Sequence, residues 1–258
     1  MDSEQKSESM LSPYRVLDLA GEKGLLCGKI LGDLGADVIK VERPRGDPTR
    51  NIGPFYKDIR DPEKSLYWFA FNTSKRGITL NIEKPEGQDI FKKLVEKADV
   101  VIESFSPGYM DTLGLGYSSL SQINPRIILT SVSPFGQEGP YRDYKTSDLV
   151  SMALSGVLYI TGDANRPPVR ISFPVAYQFA GTEAALGTLM ALYYRNITDE
   201  GQQVDISTQW SMNPAQYDVI GWWAALKKIY KRQGPFLIRP NTGIIFRQHW
   251  PCKDGYVT

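Results

Sequence analysis

The chain has 258 residues, enough for one or two domains with a buried core. Its composition, 41% apolar and 23% charged, is that of a globular protein, and a net charge of +1 excludes a general attraction to nucleic acid or to a membrane surface. The two cysteines have no metal-binding spacing, the start of the chain is polar, and no apolar run reaches the roughly 20 residues of a membrane span. We therefore expect a cytoplasmic protein without a metal site.

Predicted strands and helices alternate through the first half of the chain. Strands are predicted at residues 14–19, 37–42, 78–82, 99–103 and 127–132, and helices at 25–34, 85–98 and 146–155. Helical spacing of apolar residues marks the helices, with Gly35 closing the first and Pro85 opening the second. Because strand, helix and strand follow one another within residues 14–42 and again within 78–103, the strands should pair in parallel. The pattern predicts an α/β fold, a Rossmann-like open parallel sheet.

The second half of the chain contributes mainly helices. Two are predicted at residues 181–194 and 207–230, and the segment 253–258 is predicted to be a turn that feeds a strand. In terms of domains, we expect a flexible tail at 1–12, the large Rossmann-like domain at 13–230, and a linker at 231–258. That linker should begin a second, small domain that is mostly absent from this chain.

A dinucleotide site is the first functional alternative. Gly21, Gly24 and Gly28 follow the first strand, and Glu42 ends the second, where such folds place a ribose-binding acid. However, the glycine spacing is not G-x-G-x-x-G, so close packing explains these glycines better than cofactor binding does. A nicotinamide-dependent oxidoreductase stays open as a minor alternative. His249 is the single histidine, which disfavours a Ser-His-Asp or Cys-His site.

Several short motifs occur in the order typical of one enzyme family. They are GADVIKVE at 35–42, GDPTR at 46–50, NTSKR at 72–76, ADVVIE at 98–103, PG at 107–108, NPR at 124–126, FGQEGP at 135–140 and WPCKDGY at 250–256. Together they resemble the class III CoA-transferases, which include formyl-CoA transferase, the carnitine and bile-acid CoA-transferases and α-methylacyl-CoA racemase. The resemblance runs from about Tyr14 to the last residue. It implies a Rossmann-like large domain, a smaller second domain, and two ring-like chains interlocked as a dimer.

The resemblance also implies where a nucleophile should be. In this family an aspartate within Pro-x-x-Asp-x-x-x-Gly attacks the acyl-CoA thioester, giving an anhydride and then an aspartyl-CoA thioester. Here that stretch runs from Pro174 to Gly181, before the predicted helix, and Tyr177 occupies the aspartate position. A phenol, with an ordinary pKa near 10, is a poor substitute, so we assign no catalytic residue. Ser147 replaces the racemase histidine, which excludes that branch, and Asp148 is expected to cap a helix or add core polarity.

The resemblance further implies contacts to coenzyme A, which would be a substrate and not a covalently bound cofactor. The positions that match nucleotide or pantetheine contacts in relatives are Arg43, Leu80, Phe105 and Lys145. Other contact positions carry different residues, namely Lys23, Glu83, Ser104 and Thr112. A glutamate in place of a lysine near a phosphate of CoA weakens the binding free energy by on the order of 1 kcal/mol or more. We therefore expect this chain alone to bind CoA weakly.

These considerations predict a subunit of a CoA-transferase that moves CoA between an acyl-CoA, such as succinyl-CoA, and a carboxylic acid, such as an arylsuccinate. The chain would be non-catalytic and would pair, as a heterodimer or heterotetramer, with a sister chain that bears the aspartate. It resembles in this respect the non-catalytic subunit of the benzylsuccinate enzyme. The alternatives are a self-sufficient homodimer with an unrecognised nucleophile and, from another class, the oxidoreductase or a non-enzymatic scaffold.

Overall fold

Six parallel strands make up the main sheet. They are β1 (Arg15–Asp18), β2 (Asp37–Glu42), β3 (Lys75–Thr79), β4 (Val100–Glu103), β5 (Ile128–Ser133) and β6 (Gln202–Ser207). Their order in the sheet is β3-β2-β1-β4-β5-β6, and each neighbouring pair is parallel. The chain thus starts in the middle of the sheet and winds outward in both directions. The predicted Rossmann-like fold class is confirmed.

Nine α-helices lie in the described part of the chain. They are α1 (Leu25–Asp33), α2 (Leu66–Asn72), α3 (Pro85–Val95), α4 (Tyr109–Thr112), α5 (Tyr117–Ile123), α6 (Asp148–Leu154), α7 (Val157–Ile160), α8 (Val175–Thr198) and α9 (Tyr217–Leu226). Short 3₁₀ helices lie at Pro48–Asn51, Tyr56–Asp58, Pro62–Lys64 and Trp210–Gln216. Among the described residues, no helix is both long and apolar enough to cross a membrane.

The structure is a computed structural model that describes residues 9–238 and 242–257, and the side chains of these residues except 214–218. It divides into two compact units. The first, up to Lys145 and again over Tyr177–Thr208, contains the main sheet. The second, Thr146–Ala176 and the chain from Gln209, contains α6, α7 and α9. It also contains two antiparallel pairs, β7 (Phe236–Ile238) with β8 (Ile245–Arg247) and β9 (Trp250–Pro251) with β10 (Tyr256–Val257).

Alternate residues of the strands feed two separate apolar cores in the first unit, because successive side chains of a strand point to opposite faces. On one face Val16 and Ile102 pack with residues of α1 and α8. On the other, Leu17 and Val101 pack with residues of α3 and α5. All ten residues of β4 and β5 are buried, as expected for central strands covered on both faces.

Small residues let α8 approach the sheet closely. Ala180 and Ala184 are fully buried, and they lie on the same helical face as Gly181 and Gly187. A Cβ at Gly181 would lie 2.8 Å from the Leu26 Cβ, and one at Gly187 would lie 2.8 Å from the Val204 Cγ1. Larger residues at these positions would push α8 away from α1 and β6.

Several sequence predictions need correction. The helix predicted at 207–230 is wrong: residues 202–207 form β6, residues 210–216 a 3₁₀ helix, and only Tyr217–Leu226 an α-helix. Strand β6 lies at the edge of the sheet, and only its Val204 and Ile206 pack against the core. Its other residues are polar, so the apolar pattern did not predict a strand here. Strand β3 begins three residues earlier than predicted, and the helix predicted at 181–194 extends to Val175–Thr198.

The chain ends also bear on the sequence predictions. Residues 1–8, most of the predicted tail, lie outside the described residues. Leu11 is 5% exposed, and its N–H donates to the Leu34 carbonyl at 3.1 Å, so the predicted tail overlaps the core. Near the other end, the predicted strand is β10, which pairs antiparallel with the preceding strand β9. In the turn between them, the Cys252 N–H donates to the Gly255 carbonyl at 2.9 Å.

A buried ion cluster joins the first three strands of the chain. The Asp18 side chain, fully buried at the end of β1, accepts from Lys75 Nζ at 2.8 Å and lies 3.5 Å from Lys40 Nζ. Lys40 also lies 3.7 Å from the Asp47 carboxylate. Burial alone would raise the pKa of Asp18, but the two lysines more than offset it, so the pKa is lowered. Gly28 of α1 sits over the cluster: a Cβ there would lie 2.3 Å from Asp18 Oδ2.

Replacing Asp18 with alanine is expected to lower the free energy of unfolding by about 3–5 kcal/mol, because it removes the carboxylate that two buried lysines share. The matched control is Asp89→Ala on the exposed face of α3, which should change the free energy by less than about 0.5 kcal/mol. Urea unfolding followed by circular dichroism measures both. Equal effects of the two substitutions would contradict a stabilising role for the cluster.

Candidate functional site

Three of the four predicted CoA-contact residues follow strands of the main sheet, the adjacent strands β2 and β3 and the strand β4, which β1 separates from β2. Arg43 comes directly after β2, Leu80 directly after β3, and Phe105 two residues after β4. Since the strands are parallel, all three lie at the carboxyl edge of the sheet, where ligands of open α/β folds bind. Leu80 and Phe105 both pack against the core on the α3 side. The fourth, Lys145, is exposed and lies twelve residues beyond β5, at the end of the first unit's first segment.

Arg43 is oriented by the loop in which it lies. Its Nε donates to the Gly46 carbonyl at 3.1 Å, and the guanidinium is exposed. The loop itself is anchored, because Arg50 donates to both Glu42 oxygens at 2.7 and 2.8 Å and stacks 4.1 Å over the Trp68 ring. Arg43 is therefore a cation held at the surface and available to an anionic group.

The turn after β1 is tied to the segment after β4. The Gly21 N–H donates to Ser104 Oγ at 2.8 Å, and Lys23 Nζ lies 3.5 Å from the Ser104 carbonyl oxygen. Burial lowers the pKa of Lys23, while the charges of Glu22 and Glu103 act in the opposite direction. The structure thus brings together Lys23 and Ser104, two positions at which this chain departs from the CoA-binding pattern.

The other two departures also lie together, around Tyr109 of α4. The Tyr109 hydroxyl donates to Glu83 Oε1 at 3.0 Å, and Thr112 Oγ1 donates to the Tyr109 carbonyl at 2.7 Å. The Tyr109 ring is 5.0 Å from the Phe105 ring. A negative charge at Glu83 therefore stands two side chains away from Phe105, where a phosphate-binding lysine was expected.

A buried carboxyl group, that of Glu103, accepts a hydrogen bond from the backbone of Phe105. Glu103 ends β4, is 4% exposed, and its Oε2 accepts from the Phe105 N–H at 2.7 Å. Burial raises the pKa of Glu103 to about 7, and the charge of Asp205 adds to the rise. Hydrogen bonds from Ser131 and Phe105 and the charge of Lys23 oppose it. Sequence reasoning placed Glu103 in a motif but missed its role, because only the sheet order reveals that it is buried between β1 and β5.

Tyr177 lies within the first turn of α8 and not in a preceding loop as predicted. It is 6% exposed. Since α8 starts at Val175, this position lies at the positive end of the helix dipole. The position therefore suits an anionic side chain electrostatically, yet the residue present is an uncharged phenol.

Within the second unit, Asp148 caps the start of α8. Its Oδ1 accepts from the Ala176 N–H at 2.9 Å, and its Oδ2 lies 3.6 Å from Arg170 Nη2. The expected capping role is thus found, although the capped helix is not its own. The N-cap of α6 is Ser147, whose Oγ accepts from the Val150 N–H at 3.4 Å. Both Asp148 oxygens are engaged, which disfavours this residue as a replacement nucleophile.

The model for CoA-transferase family III matches residues 11–258. The chain belongs to this family. The BbsE subunit of succinyl-CoA:(R)-benzylsuccinate CoA-transferase from Thauera aromatica is 38% identical over 246 residues, which cover 95% of this chain and 58% of BbsE. Succinyl-CoA–D-citramalate CoA-transferase from Chloroflexus aurantiacus is 42% identical over 255 residues, which cover 98% of this chain and 61% of that protein.

Solved structures agree with the family membership. A CAIB/BAIF family protein from Brucella suis superimposes with a TM-score of 0.87 at 35% identity, covering 97% of this chain and 65% of that one. The family III chain described here thus spans about three fifths of the length of the curated relatives it matches.

The raised pKa of Glu103 leads to a testable pH dependence. The folded state binds this proton more tightly than the unfolded chain, whose pKa is the ordinary 4.5. The stabilisation from protonation is therefore present at low pH and is lost as the pH rises through about 7. Between about pH 5 and 8, the free energy of unfolding of the native chain should fall by roughly 3 kcal/mol relative to Glu103→Gln. Urea unfolding across that range measures it.

An exposed glutamate provides the control. Glu86 lies in the first turn of α3, and Glu86→Gln should show no comparable divergence from the native chain between pH 5 and pH 8. Parallel pH profiles for the native chain and Glu103→Gln would mean that Glu103 titrates as an ordinary carboxyl group.

Proposed function

We propose that this chain is a non-catalytic subunit of a CoA-transferase that moves CoA between an acyl-CoA, such as succinyl-CoA, and a carboxylic acid, such as an arylsuccinate. A sister chain of the same family carries the nucleophilic aspartate. Together the two form a heterodimer or heterotetramer, interlocked as the family resemblance implies. Acyl-CoA is a substrate of the complex, and Arg43, Leu80, Phe105 and Lys145 are the CoA-contact residues of this chain.

The observation that carries the proposal is Tyr177. The family chemistry needs a carboxylate that attacks a thioester and then exchanges an anhydride for a CoA thioester. A buried phenol is protonated at neutral pH and does not give an anhydride, so acyl groups should not pass through this chain. The carboxylate of Asp148 is committed to a helix amide and to Arg170, so no replacement is available from that residue.

The names of relatives support both the donor and the subunit role. BbsE is a named subunit of an enzyme that uses succinyl-CoA and (R)-benzylsuccinate. A second relative, 34% identical over 249 residues, is the beta subunit of succinyl-CoA–L-malate CoA-transferase from Chloroflexus aurantiacus. The D-citramalate enzyme also carries succinyl-CoA in its name, but no subunit, which keeps a self-sufficient homodimer as the competing proposal.

An apolar stripe on α8 supports the requirement for a partner chain. In the first unit, Leu186, Met190, Tyr193 and Ile197 are 58%, 64%, 72% and 69% exposed. Their spacing of four, three and four residues places them on one side of the helix, opposite the buried alanines. A continuous row of large exposed apolar side chains is typical of an interaction surface. We assign this α8 stripe to the contact with the sister chain.

Trapping during turnover tests which chain carries the acyl group. With the complex, succinyl-CoA and an acceptor acid, hydroxylamine should convert an aspartyl-CoA thioester to a hydroxamate on the sister chain only. Tyr177→Phe removes the hydroxyl but keeps the ring, so kcat should stay within about threefold of the native complex. Peptide mass spectrometry and a CoA-transfer assay provide the two readouts.

The matched control is the aspartate-to-asparagine change at the equivalent position of the sister chain, which should reduce kcat by at least about a thousandfold. A stable homodimer of this chain with full activity, or a hydroxamate on this chain, would refute the proposal in favour of the self-sufficient enzyme.

The α8 stripe gives a second test of the complex. The double substitution Leu186→Lys and Met190→Glu places charges in the proposed contact. The Kd for the sister chain should therefore rise at least tenfold, and less of the sister chain should co-purify. Ile90→Lys on α3, where the native side chain is 50% exposed, is the control for charge on an exposed apolar position. If both variants assemble like the native chain, the stripe is not the contact.

A further inference from the structure

A cavity of about 200 Å³ lies beside Glu103 in the first unit. Its polar lining includes Asp111, Ser131, Gln137 and Gln203. At roughly 30 Å³ per molecule, this is room for several waters. The Glu103 carboxyl group is therefore shielded from bulk solvent but has a space through which a proton can be exchanged. Such a group can change its ionisation without unfolding of β4.

Hydrogen bonds to Glu103 and Ser104 fix the backbone around Phe105. The Glu103 Oε2 accepts from the Phe105 N–H at 2.7 Å, which fixes the backbone two residues beyond the buried strand. Ser104, between them, accepts from the Gly21 N–H at 2.8 Å. Phe105 in turn packs 5.0 Å from the Tyr109 ring. A change in the strength of the Glu103 hydrogen bond therefore acts directly on the backbone of Phe105.

Charged groups around Glu103 act on its ionisation in both directions. Lys23, from the turn after β1, favours the carboxylate, and Asp205, from β6, favours the protonated acid. Asp111 and Tyr117 line the same cavity. Burial, helped by the charge of Asp205 and opposed by that of Lys23, raises the pKa of Glu103 to about 7, close to neutral pH.

We propose that Glu103 is a proton-controlled positioning residue: its carboxylate holds Phe105 in the conformation that contacts acyl-CoA, and its protonation loosens that contact. A hydrogen bond to a carboxylate is about twice as strong as one to a neutral acceptor. When Glu103 takes a proton from solvent, one oxygen becomes a donor and the bond from the Phe105 N–H loses its charge assistance. No covalent step is involved, and the proton returns to solvent when the carboxylate reforms.

This inference rests on the proposed function, since it takes Phe105 to be a CoA contact. CoA affinity at this chain should then be roughly fivefold weaker at about pH 6 than at about pH 8. In Glu103→Gln, which keeps an acceptor for the Phe105 N–H but cannot ionise, this contribution to the pH dependence should disappear. The CoA phosphates also titrate near pH 6, but they do so equally with both proteins and cancel in the comparison.

The experiment follows the Phe105 amide in the assembled complex. This chain is labelled with ¹⁵N-phenylalanine and paired with the unlabelled sister chain, so the signal reports on this chain only. Its chemical shift is recorded against pH without ligand and then against CoA concentration at each pH. We expect a midpoint near pH 7 that is absent in Glu103→Gln.

Two further variants test the assignment even if Glu103→Gln folds poorly. Ser131→Ala removes a hydrogen bond that favours the carboxylate, so the midpoint should move up in pH. Asp205→Asn removes a charge that favours the acid but keeps an acceptor for the Gln137 N–H, so the midpoint should move down. A purely structural role for Glu103 predicts no opposite shifts.

The outcomes separate this inference from the proposed function. A Phe105 signal that does not titrate, or CoA affinities with the same pH dependence in the native chain and Glu103→Gln, would overturn the role of Glu103 while CoA binding stands. A Phe105 signal that titrates but does not respond to CoA at any pH would overturn CoA binding by this chain, and the inference with it.

Discussion

The fold of the first unit depends on one buried carboxylate, that of Asp18. It neutralises Lys75 directly and faces Lys40, so strands β1, β2 and β3 are joined by charge as well as by their backbone hydrogen bonds. Asp18 also accepts from the Ala20 N–H at 2.9 Å, and Lys40 donates to the Ala20 carbonyl, which sets the direction of the turn after β1. A buried charge without its partners is costly, so these elements hold together or come apart as a group.

From that turn the constraint passes to the carboxyl edge of the sheet. Gly21 is bonded to Ser104, Ser104 lies between Glu103 and Phe105, and the ring of Phe105 packs on Tyr109. The segment after β4 is therefore held from the turn, from the buried strand and from α4. This rigidity is what a site for a flexible thioester substrate needs, because the protein side then loses little conformational freedom on binding. In the inference proposed above, the same contacts carry a change in the ionisation of Glu103 to Phe105.

The position that the family resemblance assigns to a nucleophile is firmly held, and a tyrosine occupies it. Tyr177 is buried in the first turn of a 24-residue helix, whose N-terminal end is capped by Asp148 in the second unit and whose small residues hold it close to α1 and β6. A chain of this kind is useful if it supports a partner that retains the aspartate, and the exposed α8 stripe offers a surface for one.

Local sequence patterns were sufficient for the parallel α/β fold, because strands β1, β2, β4 and β5 and helices α1 and α3 follow apolar periodicities that do not depend on distant residues. The motifs were likewise sufficient for the family and for the aromatic residue at position 177. What only the tertiary structure decided is pairing across the chain. The edge strand β6 is recognisable only once it is paired with β5. The pKa values of Asp18 and Glu103 are shifted only because the sheet order buries these residues beside lysines, a serine and another carboxylate. Burial and charge at a residue depend on neighbours that are distant in sequence, so periodicity and spacing along the chain do not contain them.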